Sequence, residues 1–265
     1  MPELAEVEYY RKQWDAGFGK KVTKILLHGE KRIFRGTDIK GMERLLPGAM
    51  LLESKASGKQ MVFRFSKNLW LGLHLGMTGM LRVEAPGFVP QKHDHLVLCQ
   101  KERTLVFKDM RQFGRVRFHQ GKDAPEWWSQ IPAALTSNEF TQGQMTDFLQ
   151  RHGKLPVKAA LLLQSGFPGV GNWMADEILW RAKIAPQLRS SKISGQRAQA
   201  LWKSIRFVCR QAIRHVGPKF DDPPKDWLFH QRWSKAGRCP NHRVPLSRAT
   251  VGGRTTAWCQ LCQQE

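Results

Sequence analysis

The sequence predicts an α+β multidomain protein with a β-rich N-terminal half, a mainly helical second half and a small C-terminal module. Short β-rich runs broken by glycine and proline fill residues 20–120, which is typical of a sheet sandwich or barrel. Beyond a segment at residues 126–132 that has the composition of a linker, apolar residues recur at helical spacing. We therefore expect domains over residues 1–130, 131–220 and 221–265.

The individual elements follow from the same patterns. Residues 3–14 have helical spacing, with Pro2 at the helix N-terminus. The predicted strands are Val22–Leu27, Met61–Phe65, Leu69–His74, Met80–Val83, His95–Cys99, Thr104–Phe107 and Arg115–Phe118. The predicted helices are Thr141–Arg151, Leu155–Gln164, Asn172–Ala182 and Gly195–Val216. Residues 217–236 contain Pro218, Pro223 and Pro224, and we expect a linker there.

The charge balance indicates a polyanionic partner. Lys and Arg number 43 against 22 Asp and Glu, which gives a formal net charge of +21. Nucleic acid is the leading candidate. An anionic membrane surface would also attract such a chain, but the sequence has no apolar run of about 18 residues and no secretory signal. We therefore expect a cytoplasmic protein with no membrane partner.

Four potential metal ligands lie near the C-terminus as two pairs at two-residue spacing. Cys239 and His242 form the first pair, and Cys259 and Cys262 form the second after sixteen intervening residues. This spacing on both sides is typical of a zinc knuckle, which argues against scattered cysteines and a surface histidine. Four protein ligands leave no open position for water, so we expect one structural Zn²⁺. The intervening residues predict a β-hairpin that cannot fold without its metal.

Six separated stretches form one recognisable set: residues 1–8, 74–79, 92–95, 109–114, 168–177 and the C-terminal module. Together they resemble one family, that of the formamidopyrimidine-DNA glycosylases and endonuclease VIII, and are most similar to its formamidopyrimidine (MutM) branch. Their order along the chain makes the resemblance specific. The resemblance implies an N-terminal catalytic β-sandwich domain with a flanking helix, a helix–two-turn–helix DNA-binding domain, and a linker with a β-hairpin zinc finger.

The resemblance also implies an activity. It predicts a monomeric, bacterial, nucleoid-associated enzyme of base excision repair that holds damaged duplex DNA between two lobes. Such an enzyme is a bifunctional DNA glycosylase and AP lyase that removes oxidised bases, first 8-oxoguanine and formamidopyrimidines, through a Schiff base at Pro2. Strand cleavage by β/δ-elimination follows. By its position alone, Pro2 is equally typical of an ordinary first helical residue.

The chemistry of Pro2 fits this assignment. Removal of Met1 exposes a secondary amine, and an α-amine titrates near ~8 whereas a lysine titrates near ~10.4. Far more of it is therefore unprotonated at neutral pH. Attack on the sugar C1′ would release the base and leave an iminium, which acidifies the C2′ proton and permits elimination.

By resemblance, Glu3 is the general acid/base at the sugar, Lys59 contacts the lesion or a nearby phosphate, and Glu6 and Glu177 support the site. Arg254 counts as both catalytic and DNA-binding. Without the resemblance, Glu3 would be read as a carboxylate that complements a helix dipole, and Lys59 as a surface lysine.

The remaining candidates bind DNA. Met77, Arg111 and Phe113 match residues that fill the space of an extruded base, with Arg111 donating to the opposite base, expected to be cytosine. Asn172 and Arg254 match a pair that grips the flanking phosphates. The turn Phe167–Asn172 is glycine-rich, and we expect its backbone N–H groups to approach a phosphate. His74 and His93 are further phosphate candidates.

Alternatives stay open for some of these residues. Met77 and Phe113 would more often be core residues. His93, Asp94 and His95 could form a second metal site, although on a strand the two histidines face away from Asp94.

The chain departs from the family pattern at several positions, and rival functions remain. The departures are Ala5, Met110, Gln112, His242 and the segment 217–220. Because that segment does not follow the family's loop over an oxidised purine, an endonuclease VIII-like preference for oxidised pyrimidines is the first alternative. A non-catalytic damaged-DNA-binding protein and a basic RNA-binding zinc protein are the others. Intact Pro2 and Glu3 favour an enzyme.

Overall fold

The computed structural model describes residues 1–264, and the chain divides into two compact units. The first unit contains Met1–Pro2 and Glu6–Ile131, and the second contains Glu3–Ala5 and the chain from Pro132 onward. Within the described residues, none of the helices combines the length and the apolarity needed to cross a membrane.

The first unit is a β-sandwich with flanking helices. One antiparallel sheet has the strand order β1-β6-β7-β5 and the other β2-β3-β4-β8. The elements are α1 (Leu4–Gln13), β1 (Val22–Leu27), α2 (Ile39–Leu45), β2 (Leu51–Ser57), β3 (Gln60–Phe65), β4 (Leu69–His74), β5 (Met80–Glu84), β6 (Asp94–Gln100), β7 (Thr104–Lys108), β8 (Arg115–Gln120) and α3 (Glu126–Ser129).

One apolar core joins the two sheets. Phe63 and Phe65 of β3 lie in the same buried cluster as Leu98 of β6 and Phe107 of β7. Alternate residues of these strands point inward because side chains alternate between the faces of a sheet. The seven strands predicted from the sequence are present, with ends shifted by no more than two residues.

The second unit consists of helices followed by a β-hairpin. Its elements are α4 (Gln142–Arg151), α5 (Val157–Leu161), α6 (Asn172–Ala182), α7 (Gly195–Lys219), β9 (Ser247–Val251) and β10 (Arg254–Trp258). A capping box between Thr141 and Gln144 fixes the start of α4. Nine of the eleven residues of α6 are buried, so this helix forms the centre of the unit.

Two predicted linkers are partly helical. Helix α7 continues past Val216 to Lys219, because Pro218 lies in the last turn and Phe220 N still donates to Val216 O at 2.8 Å. Residues 126–129 form α3, whose Trp127 covers Gly72 of β4; a Cβ there would lie 2.3 Å from the indole ring. The predicted fold class, a β-sandwich followed by a helical domain and a C-terminal hairpin module, is confirmed.

Candidate active site

Glu3 is buried, and backbone N–H groups hold its carboxylate. Its side chain accepts hydrogen bonds from Gly171 N at 3.0 Å, Trp173 N at 3.0 Å and Met174 N at 3.1 Å. These donors lie at the start of α6, where the first N–H groups have no partner within the helix. A carboxylate is also favoured there by the helix dipole. Glu3 therefore caps α6, and the residue after Pro2 is fixed in position.

The glycine-rich turn before α6 is built around this contact. Leu4 N donates to Gly169 O at 3.0 Å, and Gly169 has the positive φ of 92° that glycine adopts without strain. A Cβ added to Gly171 would lie 2.2 Å from the carboxyl carbon of Glu3. Only glycine fits at this position while the carboxylate keeps its place.

These hydrogen bonds correct one expectation from the sequence. The N–H groups of Gly171 and Trp173 donate to Glu3, and Gly169 N donates to Gln164 Oε1 at 3.0 Å. The expectation that these N–H groups meet a phosphate is therefore wrong. No local pattern reveals the main acceptor, because Glu3, which accepts from Gly171 N and Trp173 N, lies at the start of the chain.

Asn172 is the first residue of α6, and its side chain contacts the C-terminal hairpin. Its Nδ2 donates to Thr255 O at 3.0 Å. Lys158, which is fully buried, donates to the same carbonyl at 3.1 Å and to Thr256 Oγ1 at 2.7 Å. Strand β10 is thereby fixed against α5 and α6. Arg254 begins β10 and is exposed beside the turn Gly252–Gly253.

Asp176 neutralises the buried charge of this network and was given no role by the sequence reasoning. Its Oδ1 lies 2.5 Å from Lys158 Nζ, and its Oδ2 lies 2.7 Å from Arg232 Nη2. A buried carboxylate is tolerated when it is paired and hydrogen-bonded. A carboxylate pair, Asp176 and Glu177, inside an otherwise apolar helix was the signal that could have revealed it.

Glu177 is buried and contacts the segment that follows α7. It accepts from Arg181 Nε at 2.7 Å and from Phe229 N at 3.2 Å. Burial raises the pKa of Glu177 to about 7, although the charge of Arg181 acts in the opposite direction. Glu177 therefore links α6 to residues 228–230, which form a 3-10 turn, and its supporting role in the site stays a prediction.

In the first unit, Met77, Arg111 and Phe113 lie in two exposed loops. Met77 is 37% exposed and Phe113 is 43% exposed, so neither is a core residue. The Arg111 guanidinium lies 4.7 Å from the centroid of the Phe113 ring.

Buried Asp109 joins these loops, which the sequence reasoning missed. Its carboxylate accepts from Thr78 Oγ1 at 2.7 Å, Gly114 N at 2.8 Å and Arg111 N at 3.3 Å. Gly76 packs against the Phe113 backbone, since a Cβ there would lie 2.4 Å from the Phe113 carbonyl carbon. The two loops are therefore held in one arrangement.

Lys59 and His74 lie near each other at one end of the second sheet. Lys59 is in the two-residue turn between β2 and β3, and His74 pairs with Gln60. Burial lowers the pKa of His74 to about 4, and the nearby charges of Lys59 and Arg117 add to the effect. Gly76 N donates to His74 Nδ1 at 3.1 Å. His74 is therefore neutral, with its proton on Nε2 as the remaining donor.

The other predicted residues are spread over the first unit. Pro2 and Glu6 are half-buried, and so is His93, which lies just before β6. Asp94 forms an ion pair with Arg82 at 3.0 Å, and His95 Nε2 lies 3.0 Å from Asp109 O. With Asp94 and His95 occupied in this way, a second metal site gains no support.

The four C-terminal Cys and His side chains converge on one point. The sulfur atoms of Cys239, Cys259 and Cys262 and a ring nitrogen of His242 all lie within 4.8 Å of one another. Cys239 Sγ and Cys262 Sγ are 3.6 Å apart, and His242 Nδ1 is 3.8 Å from Cys259 Sγ. These residues form a four-ligand Cys/His cluster at the base of the β9–β10 hairpin, with the donor atoms and spacing that a metal ion requires.

The chain matches two family models, the Formamidopyrimidine-DNA glycosylase N-terminal domain over residues 1–116 and the Formamidopyrimidine-DNA glycosylase H2TH domain over residues 132–221. The formamidopyrimidine-DNA glycosylase of Solibacter usitatus is 32% identical over 275 residues, which cover 100% of both chains.

Solved structures of Lactococcus lactis Fpg (MutM) are also similar. Its complex with a Fapy-dG containing DNA has a TM-score of 0.88 and 26% identity, covering 99% of this chain and 100% of that one. Its complex with an oxidised pyrimidine containing DNA has a TM-score of 0.88 and 26% identity, covering 100% of both chains. The chain therefore belongs to the formamidopyrimidine-DNA glycosylase/endonuclease VIII family, in its formamidopyrimidine (MutM) branch, and is a DNA-binding N-glycosylase.

Proposed function

We propose that this chain excises oxidised bases from duplex DNA and then cleaves the strand, acting as both glycosylase and AP lyase in base excision repair. The preferred substrates are 8-oxoguanine and formamidopyrimidines. Residues 1–130 are the catalytic domain, residues 131–220 the DNA-binding domain, and residues 221–265 the linker and zinc finger. The enzyme acts as a monomer on damaged double-stranded DNA.

In this proposal the Pro2 nitrogen, freed by removal of Met1, forms a bond to C1′ as the bond from C1′ to the base breaks. The departing base takes a proton, and opening of the sugar ring leaves an iminium on Pro2. The iminium withdraws electrons, so loss of the C2′ proton expels the 3′ phosphate in β-elimination. A second elimination expels the 5′ phosphate, and water releases the protein from the sugar fragment. Glu3 exchanges protons at the sugar in these steps.

The anchoring of Glu3 and Leu4 is the observation that carries this proposal. Three N–H donors hold the Glu3 carboxylate, and Leu4 N is bonded to Gly169 O. A nucleophile must be held within a narrow range of positions to react, and misplacement by about 1 Å can cost 10²-fold in rate. A flexible chain terminus could not meet this requirement. Pro2 can meet it, because the two residues that follow it, Glu3 and Leu4, are held in place.

The proposed DNA contacts use donors and exposed apolar side chains. Extruding a base costs a few kcal/mol, which Met77 and Phe113 would offset by filling the vacated space while Arg111 donates to the opposite base. Asn172 and Arg254 bind the flanking phosphates, and Arg254 contributes to catalysis by holding the reacting nucleotide. Lys59, His74 and His93 contact the lesion strand. Glu6 and Glu177 support the site without touching DNA.

We assign one structural Zn²⁺ to Cys239, His242, Cys259 and Cys262. Zinc bonds of ~2.3 Å to sulfur in a tetrahedron place two sulfurs ~3.8 Å apart, close to the spacings of this cluster. Three thiolates and one imidazole are a typical zinc donor set, and they leave no position for a reacting water. The ion would stabilise the hairpin that presents Arg254.

A preference for oxidised pyrimidines is the second candidate. Lactococcus lactis Fpg is described in complex with DNA containing an oxidised pyrimidine as well as with Fapy-dG DNA. In this chain the segment after α7 exposes two aromatic side chains, Phe220 at 46% and Trp233 at 62%. In this second candidate the segment lies over the extruded base, and its rings supply stacking surface, which accepts a pyrimidine as well as a purine.

A panel of single-lesion duplexes tests the proposal. Matched duplexes carry 8-oxoguanine, a formamidopyrimidine, an oxidised pyrimidine or no lesion, and the product ends are resolved after incubation. We expect fastest cleavage of the two purine lesions, with ends from β- and δ-elimination. Faster cleavage of the oxidised pyrimidine would favour the second candidate. Binding to damaged DNA without any cleavage, or preference for single-stranded RNA, would contradict an enzymatic role.

A further inference from the structure

We infer that Arg35, Arg115 and Arg117 form an additional phosphate-binding subsite for the DNA backbone, beside Lys59 and His74. The inference deepens the proposed function and rests on its DNA substrate. None of these three arginines was selected from the sequence, and no role in DNA binding follows from their residue type alone.

Strand register brings two of the arginines, Arg115 and Arg117, to one face of the second sheet. Arg115 pairs with His74, and Arg117 pairs with Gly72 two residues away on β4. Directly opposed residues of an antiparallel pair have Cβ atoms about 4.5–5.5 Å apart on the same face. Val116, between the two arginines, is fully buried in the core, so Arg115 and Arg117 lie on the opposite, outward face.

Contacts with neighbouring elements hold each guanidinium near the others. Arg35 Nη1 donates to Gly114 O at 3.1 Å, next to the start of β8. Arg117 lies over the Trp127 ring of α3, 5.3 Å from its centroid. Arg115 Nη2 lies 3.9 Å from the position of a Cβ at Gly36, the residue after Arg35. These contacts orient the three side chains without neutralising them.

The cluster contains positive charge and no acidic partner. The ion pairs within residues 1–264 involve none of the three arginines. Arg115 Nε is buried and makes no hydrogen bond in the described part of the chain. The carboxylate of Asp109, which acts electrostatically on His74, is occupied by Thr78 and backbone N–H groups. The three arginine side chains therefore offer a ligand hydrogen-bond donors and positive charge, with no carboxylate among them.

The pKa values indicate that holding three positive charges close together is unfavourable. Partial burial lowers the pKa of Arg35 and of Arg117, and mutual repulsion with Arg115 lowers both further. An anion placed among the guanidiniums removes that repulsion. Arginine is also suited to bind a phosphate through two parallel hydrogen bonds.

Salt-dependent binding tests the inference. The probe is a fluorescein-labelled duplex with one tetrahydrofuran abasic analogue, and Kd is measured by anisotropy at increasing NaCl concentration. Each phosphate contact contributes about 0.9 to the slope of log K against log salt. We expect Arg115→Gln and Arg117→Gln each to reduce the slope by about 0.9 and to weaken Kd. Arg117→Lys, which keeps the charge, should retain the wild-type slope.

Arg44→Gln is the matched control, since Arg44 is an exposed arginine of α2 that takes part in no ion pair among the described residues. It should leave the slope unchanged. An equal loss in Arg44→Gln, or an unchanged slope in folded Arg115→Gln and Arg117→Gln, overturns the inference. Thermal unfolding verifies folding. If the wild-type protein binds the duplex but excises no lesion, the proposed function fails. The salt slopes of the wild type and the arginine variants still test the phosphate-binding subsite in that case.

Discussion

At the scale of single residues, Glu3 combines two roles in one carboxylate. It caps α6 through three backbone N–H groups and stands beside the proposed nucleophile in the sequence. Hydrogen bonds from N–H groups to a charged carboxylate are stronger than those between neutral groups, and three of them leave the carboxylate little freedom to move. The same contacts that stabilise the helix therefore fix the proposed acid/base group.

Gly171→Ala tests whether this placement matters. The backbone at Gly171 has φ of −125°, which alanine adopts freely, but the added Cβ would lie 2.2 Å from the Glu3 carboxyl carbon. We expect the carboxylate to be displaced and the excision rate to fall by about 10²-fold. Folding should persist with a loss of about 1–3 kcal/mol. Single-turnover kinetics and urea unfolding measure the two effects.

Gly143→Ala is its control. Gly143 lies in α4, and the nearest atom to an added Cβ is Thr141 Oγ1 at 3.9 Å. Alanine in a helix is favoured over glycine by about 0.5–1 kcal/mol, so this variant should be as active as wild type and slightly more stable. A Gly171→Ala enzyme with wild-type kinetics would contradict the proposed role of Glu3.

For single residues, the sequence indicated which side chains are important better than it indicated which atoms those side chains contact. Glu3 was selected by resemblance, but its bond to Gly171 joins positions 168 residues apart, which no local pattern encodes. Asp109 and Asp176 were missed for the same reason. Their partners come from other loops and strands, so their importance appears only when those elements are brought together.

At the scale of elements, α6 connects three parts of the second unit. Its N-terminus is capped by Glu3, Asp176 reaches Lys158 and Arg232, and Glu177 contacts the 3-10 turn at residues 228–230. Such a buried helix with polar contacts at defined positions constrains its neighbours more than apolar packing alone. The segment after α7 is therefore held to α6 at Asp176 and Glu177.

The buried Glu177 predicts a pH dependence of stability. Its pKa is raised from 4.5 to about 7 in the folded protein. Between these values the folded state keeps a proton that the unfolded state has lost, so the Glu177 contribution to the free energy of unfolding falls as pH rises. Each pKa unit corresponds to about 1.4 kcal/mol, so the change amounts to a few kcal/mol at most.

Glu177→Gln should remove this dependence. Urea unfolding of both proteins at about pH 5 and about pH 7.5 gives the difference attributable to Glu177, since all other groups are shared. We expect the wild type to lose more stability than the variant over this interval. Parallel pH profiles in the two proteins would show that Glu177 titrates as it does in an unfolded chain.

The elements themselves were largely predictable. Short β-rich runs located β1 and β4, and apolar residues at helical spacing located α6; the predicted bounds of all three are the observed ones. Strand β2 was missed because it is an edge strand in which only Leu51 is buried, so its sequence carries little periodicity. The end of α7 was misjudged because Pro218 is a helix breaker in the interior but is tolerated in a last turn.

At the scale of the whole molecule, the +21 charge and the C-terminal Cys/His cluster both serve DNA binding in the proposed function. Long-range charge attracts a polyanion to the protein without specifying where it binds. The specific placement depends on rigid elements such as β10, which Asn172 and Lys158 hold through Thr255 and Thr256.

Metal removal should therefore weaken DNA binding. Chelation is expected to unfold the β9–β10 hairpin, because metal binding and folding are coupled in modules of this size. Loss of an ordered Arg254 should weaken Kd by at least about tenfold, or ~1.4 kcal/mol, and added Zn²⁺ should restore it. Elemental analysis measures the bound zinc, and fluorescence anisotropy measures Kd for DNA. His242→Cys should keep the metal and His242→Ala should lose it; full affinity in metal-free protein would contradict the assignment.

Covalent attack by Pro2 is tested by borohydride reduction during reaction with an 8-oxoguanine duplex, followed by mass spectrometry of the protease-digested adduct. We expect one covalent DNA adduct, on a peptide that begins at Pro2, and no adduct after selective acetylation of the chain terminus. An adduct on a lysine, or undiminished excision and strand cleavage by the acetylated protein, would contradict it.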